Sequence, residues 1–159
     1  MTLQGKIAIV TGAGGGIGSG VAELMAKQGA SVVVNDAGSN LDGTGESQKS
    51  ADLVVEKINK NGGVAIANYE SIDNFTSCGR IIKAALDEFG GIDILCHTAG
   101  ILRDRMIFNM NEDEWDRVLE VHLNGAFNII KNALPLMVGQ KYGRIVLLAS
   151  ISGLRSSGQ

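Results

Sequence analysis

Five short apolar runs constrain the fold of this 159-residue chain more than any other feature: residues 6–11, 31–35, 64–68, 92–97 and 143–149. None alternates between apolar and polar residues, as a strand with one face in water would. Continuous runs rich in Val and Ile fit strands covered on both faces, which is the habit of parallel sheets. The intervals between them read as helices. Ile17, Val21, Leu24 and Met25 fall at helical spacing over 17–28, a second helix runs to Lys60, and a third covers 75–89. A long fourth extends from Asn111 toward Val138. Parallel strands joined by helices require crossovers, which are right-handed. The expected architecture is therefore α/β, a doubly wound parallel sheet of about five strands in a single domain spanning 1–159.

The punctuation supports these boundaries. The chain holds 22 glycines and one proline, Pro135, a balance that places tight turns at element ends rather than disordered linkers. Gly29, Gly62–Gly63 and Gly90–Gly91 each follow a helical stretch, where a left-handed residue stops a helix. Asn111 with Glu114 spells a capping box, and Glu112, Asp113, Glu114 and Asp116 favour a helix N-terminus more than a metal site. Pro135 falls near the far end of that helix, where a kink or break is tolerable.

Charge and cysteine usage exclude other classes. The net charge is −3 and no cluster of Lys or Arg marks a nucleic-acid footprint. The apolar runs are too short to span a bilayer and the N-terminus lacks a secretory pattern. Cys78 and Cys96 make no disulfide framework and suit a reducing compartment, so the cytoplasm is expected. Cys96 and His97, adjacent on a strand, point to opposite faces and make a poor metal pair.

The chemistry begins at TGAGGGIG, Thr11–Gly18, between the first strand and first helix. A glycine turn there lets backbone approach a diphosphate, and the helix N-terminus supplies N–H groups and positive potential. The spacing G-x-G-x-x-G is absent. Gly12, Gly16 and Gly18 give G-x-x-x-G-x-G, and Gly12, Gly15 and Gly18 give G-x-x-G-x-x-G; a simple tight turn remains the bland reading. Asp36 strengthens the dinucleotide reading. It ends the second strand roughly 20 residues past the glycines, where a carboxylate accepts hydrogen bonds from a ribose diol and repels a 2′-phosphate. With Ala37 next and no basic residue in the turn, NAD is expected over NADP, although a loop or helix-capping aspartate is the alternative.

With these residues placed, the chain resembles the short-chain dehydrogenase/reductase family, whose fold is Rossmann-type. Thr11, Gly12, Gly16 and Gly18 match its T-G-x-x-x-G-x-G, HTAG at 97–100 stands for its N-N-A-G, and Ser150 stands for its serine after the fifth strand. VVVNDAG, AGILRDR and VHLNGAF look closest to the 3-hydroxyacyl-CoA dehydrogenase units of multifunctional β-oxidation enzymes and related bacterial reductases. The resemblance implies that Gly12, Gly16 and Gly18 line the diphosphate, with Ile17 supplying backbone. It implies that Asp36 holds the adenosine ribose, that Ser71 and Ile72 flank the adenine, and that Thr98, Ala99 and Gly100 lie along the nicotinamide ribose. Ser150 would orient the substrate oxygen. His97 and Thr98 depart from the family's two asparagines. His122 replaces the asparagine of its proton-relay helix, either to hold a water or simply to pack within the helix.

The family's proton-transferring tyrosine, followed four residues later by lysine, is expected about a dozen residues past the serine, but only nine residues follow Ser150. Tyr69 and Tyr142, the only tyrosines, have Asp73 and Val146 four positions on. The expectation is therefore an NAD-dependent oxidoreductase fragment, lacking the C-terminal part of the family fold and inactive by itself. Its full-length form would be a dimer or tetramer acting on an alcohol or ketone, which the branch resemblance implies is carried on an acyl-CoA. A catalytically silent nucleotide-binding or subunit-interaction module ending at Gln159 is the alternative. In either case the fifth strand would be an apolar edge that needs covering.

Overall fold

A computed structural model describes residues 1–45 and 47–151. Glu46, in the polar loop after the second strand, and the small-residue segment from 152 onward lie outside the described residues. The chain alternates strand and helix: β1 (Ile7–Thr11), α1 (Gly16–Lys27), β2 (Ser31–Asn35), α2 (Lys49–Lys60), β3 (Val64–Asn68), α3 (Phe75–Phe89) and β4 (Ile94–His97). After a single 3-10 turn at Ile107–Asn109 come α4 (Glu112–Leu119), a π-helical turn (Glu120–Asn124), α5 (Gly125–Gly139) and β5 (Arg144–Leu147).

All five strands are parallel, in the order β3-β2-β1-β4-β5. The apolar runs of β1, β2 and β4 are buried on both faces, whereas β3 is partly buried and β5, at the sheet edge, exposes Val146 and Leu147. Val32 and Val34 of β2 pack with Ala8, Val10, Ala22, Ala51 and Ile58 toward α1 and α2, while Val33 packs with Ile9, Ile81, Leu95 and Ile129 toward α3 and α5. Cys96 joins the first cluster and Leu95 the second, so His97, two residues beyond Leu95, faces α3 and α5.

Helix ends follow the punctuation. Gly29 has φ +96°, and the bonds Gly29 N–H to Ala26 O and Ala30 N–H to Met25 O close a Schellman motif on α1. Asn74 caps α3 by accepting from Thr76 N and Ser77 N at 2.9 and 3.1 Å. At α4 the capping box is complete: Asn111 Oδ1 accepts from Glu114 N at 2.8 Å, and Glu114 Oε2 accepts from Asn111 N at 3.1 Å. Asn111→Ala should therefore cost about 1 kcal/mol, read as a lower denaturant midpoint with an unchanged slope.

The long helix expected from Asn111 toward Val138 differs in one respect: it is interrupted over Glu120–Asn124 by i→i+5 bonding. One extra residue in a turn rotates everything beyond it relative to α4. Pro135, by contrast, leaves α5 unbroken to Gly139.

Candidate active site

The strand order reverses between β1 and β4, and their carboxyl ends flank the crevice where open α/β sheets bind ligands. On the β1 side, Gly12 has φ +66°, and a Cβ there would lie 2.6 Å from Ala99 Cα. A Cβ on Gly18 would lie 2.2 Å from Gly12 O and 2.6 Å from Thr98 Oγ1. Glycine at these two positions lets the first turn of α1 close directly onto the end of β4. Gly16 (φ +52°) and Gly15 instead face open space. α1 begins behind Gly15 with no side-chain cap, unlike α3 and α4, so its first N–H groups remain available to an anion. Ile17 is exposed beside them.

Asp36 follows β2 directly. Its Oδ2 accepts from Gly14 N at 2.8 Å and its Oδ1 from Gly38 N at 2.7 Å. Gly14, absent from either glycine spacing, is essential to this contact: a Cβ there would sit 2.7 Å from the Asp36 carboxyl carbon. Each carboxylate oxygen keeps a further lone pair for a ligand hydroxyl. One cleft is lined by Gly12, Asp36, Ser71, Ile72, Ala99 and Gly100, so these expected binding residues lie together. The loop after β2 forms its outer wall. Ser39 and Asn40 line the cleft, and Leu41 O accepts from Leu102 N at 2.8 Å.

Thr98 faces a protein partner: its hydroxyl donates to Thr11 O at 2.6 Å. His122 lies in the π-helical turn with Nε2 3.1 Å from Ile101 N and 2.9 Å from Ile101 O, one tautomer serving each contact. A Cβ on Gly100 would press 2.5 Å from its Cε1. The ring therefore braces the loop after β4, and proton exchange with anything else has to use Nδ1.

Ser150, exposed, lies three residues beyond β5, on the carboxyl side shared by Thr11, Asp36 and Gly100. The two tyrosines stand elsewhere. Tyr69 donates to the Asp52 carboxylate on α2, and Tyr142, ahead of β5, has Lys6 Nζ 3.8 Å from its ring centroid. Among the described residues no group of three or more His, Cys, Asp or Glu side chains could hold a metal ion.

Sequence reasoning missed a row of polar side chains at the strand ends. Asn68, Asn35, Thr11 and His97 are in register across four strands. Asn35 Nδ2 donates to Asn68 Oδ1 at 2.9 Å and Glu70 O at 2.8 Å, and Thr11 Oγ1 lies 2.8 Å from His97 Nδ1. All four residues end their runs, but only strand order and register reveal the row.

A glycine turn opening an uncapped helix, an acid after the second strand and a crevice at the sheet's reversal define a Rossmann-type nucleotide fold. Residues 6–159 match the family model described as short chain dehydrogenase, and the chain belongs to that family. It is 46% identical over 151 residues to the peroxisomal multifunctional enzyme type 2 of Drosophila melanogaster, covering 95% of this chain and 25% of that protein. It is 38% identical over 154 residues to the 3-oxoacyl-[acyl-carrier-protein] reductase FabG of Vibrio cholerae, covering 96% and 58%. A crystal structure of a short chain dehydrogenase from Mycobacterium avium superposes with a TM-score of 0.89 at 40% identity, covering 99% of this chain and 58% of that one. The chain spans only 17% to 58% of the length of such curated relatives. The family is one of oxidoreductases that use nicotinamide cofactors, NAD(H) or NADP(H).

Proposed function

We propose that this chain is the cofactor-binding part of an NAD-dependent oxidoreductase that moves hydride between a nicotinamide and a secondary alcohol or ketone. The observation that carries the reading is Asp36, held at the rim of the cleft by the Gly14 and Gly38 N–H groups. So clamped, its carboxylate would be available to a ribose diol and would repel a 2′-phosphate. The bound dinucleotide would supply the hydride-carrying C4. The Gly12–Gly18 turn, with Gly16 and the Ile17 backbone, would hold the diphosphate on the N–H groups of α1. Ser71 and Ile72 would enclose the adenine. Thr98, Ala99 and Gly100 would support the nicotinamide ribose, and Ser150 would hydrogen-bond the reacting oxygen. His122 would act through the loop it braces. The name of the 3-oxoacyl-[acyl-carrier-protein] reductase relative supports a 3-oxoacyl thioester as substrate, and the resemblance of VVVNDAG, AGILRDR and VHLNGAF favours a 3-hydroxyacyl-CoA in the opposite direction.

Titration with NADH and NADPH tests the assignment. NADH is expected to bind at least tenfold tighter, and Asp36→Asn should narrow the gap by weakening NADH and admitting NADPH. Tighter binding of NADPH to the unaltered protein would overturn the role of Asp36.

A further inference from the structure

We propose that His97 is a positioning residue for the nicotinamide end of the cleft, holding the Thr11 hydroxyl and, through it, the Thr98–Gly100 turn; this rests on the dinucleotide reading above. The imidazole is buried at the end of β4, and its Nδ1 lies 2.8 Å from Thr11 Oγ1 on the neighbouring strand. Thr11 is the hub of the turn. Its carbonyl oxygen accepts from Thr98 N at 3.3 Å and from the Thr98 hydroxyl at 2.6 Å, while its own hydroxyl oxygen accepts from Ala99 N at 3.4 Å.

The hydrogen count at the Thr11 hydroxyl favours one arrangement. Among the described residues Thr11 Oγ1 contacts only His97 Nδ1 and Ala99 N. If His97 donated from Nδ1, the oxygen would take two donors and its own hydrogen would have no acceptor. If Nδ1 accepts, the hydroxyl hydrogen points to the imidazole and a lone pair stays aimed at Ala99, so the Thr11 hydroxyl is fully used, while the Nε2–H of that tautomer has no hydrogen-bond partner among the described residues. The imidazole thus stops the hydroxyl from rotating, and the fixed hydroxyl anchors Ala99. Burial, aided by the charge of His122, pushes the His97 pKa down to about 4, so the ring is a neutral acceptor near pH 7. The same turn is confined by the contacts of Gly12 and Gly18 and by His122 on Ile101.

The test compares NADH, which reaches the turn, with ADP, which stops at the diphosphate. His97→Leu keeps bulk and removes the acceptor, while His97→Asn keeps an acceptor near the position of Nδ1. His97→Leu is expected to weaken NADH about tenfold and leave ADP within twofold, with His97→Asn restoring most of the loss. Thr11→Val, nearly isosteric, should give the same selective loss, and the double variant should be no worse than either single one. Should His97→Leu fail to fold, Thr11→Val decides. Unchanged NADH affinity in these variants, or equal losses for NADH and ADP, would overturn the assignment. An unaltered protein that binds neither ligand would instead overturn the dinucleotide reading itself.

Discussion

Gly18→Ala is expected to abolish measurable NADH binding and to lower the melting temperature by roughly 5–10 °C, from an overpacking cost of about 1–3 kcal/mol or more. The added Cβ would meet Gly12 O at 2.2 Å and Thr98 Oγ1 at 2.6 Å. Neither contact is the loose end of a long side chain. Gly12 O belongs to backbone already pressed against Ala99, and the Thr98 hydroxyl is tied to Thr11 O. Relief therefore has to come from shifting α1 away from β4, which widens the turn that brings the N–H groups to a diphosphate. Gly20→Ala, two residues further along α1, is the control. A Cβ there meets nothing within 4 Å, so the variant should gain up to about 1 kcal/mol from helix propensity and bind normally. Thermal melting with an NADH titration reads both effects, and similar behaviour of the two variants would refute the close-packing account.

The contrast between these glycines marks how far the sequence carries. Val64–Asn68 and Phe75–Phe89 have the limits expected of them, because the signals are local: an apolar run between glycines, an asparagine before a helix and a glycine after it. The order of Gly12, Gly16 and Gly18 after the first strand, with Asp36 after the second, is a statement about topology, and parallel crossovers turn it into proximity. What could not be read depends on neighbours across the sheet. Gly14 looks like filler in its turn until the Asp36 carboxylate is found on its N–H, in the space a Cβ would need. His97 looks like a substitution for asparagine until register puts it beside Thr11. The π-helical turn has no signature in EVHLN, yet it sets His122 on Ile101 instead of letting α4 run straight on.

Acid is expected to destabilise the fold in a window set by His97. Its folded pKa is depressed to about 4 from an ordinary 6.5, first by burial and second by the charge of His122. Between those values the unfolded chain binds a proton that the folded chain refuses, so stability falls as pH drops from about 6.5 toward 4. Above 6.5 neither state is protonated and the contribution vanishes; below 4 both are, and it levels off. The full loss is roughly 3 kcal/mol at 1.36 kcal/mol per pKa unit. Glu70, whose carboxyl Arg80 holds below its usual range of about 4.5, adds its own loss only at lower pH. The interval from 6.5 to 4.5 therefore reports on His97. Denaturant titrations at pH 7.5, 6.0 and 5.0 should show this slope in the unaltered protein and a flatter one in His97→Asn, whose amide keeps an acceptor for Thr11 but takes up no proton. Equal slopes in the two proteins would mean that the buried imidazole accepts its charge without cost, and that the neutral ring is not what holds the end of β4 to β1.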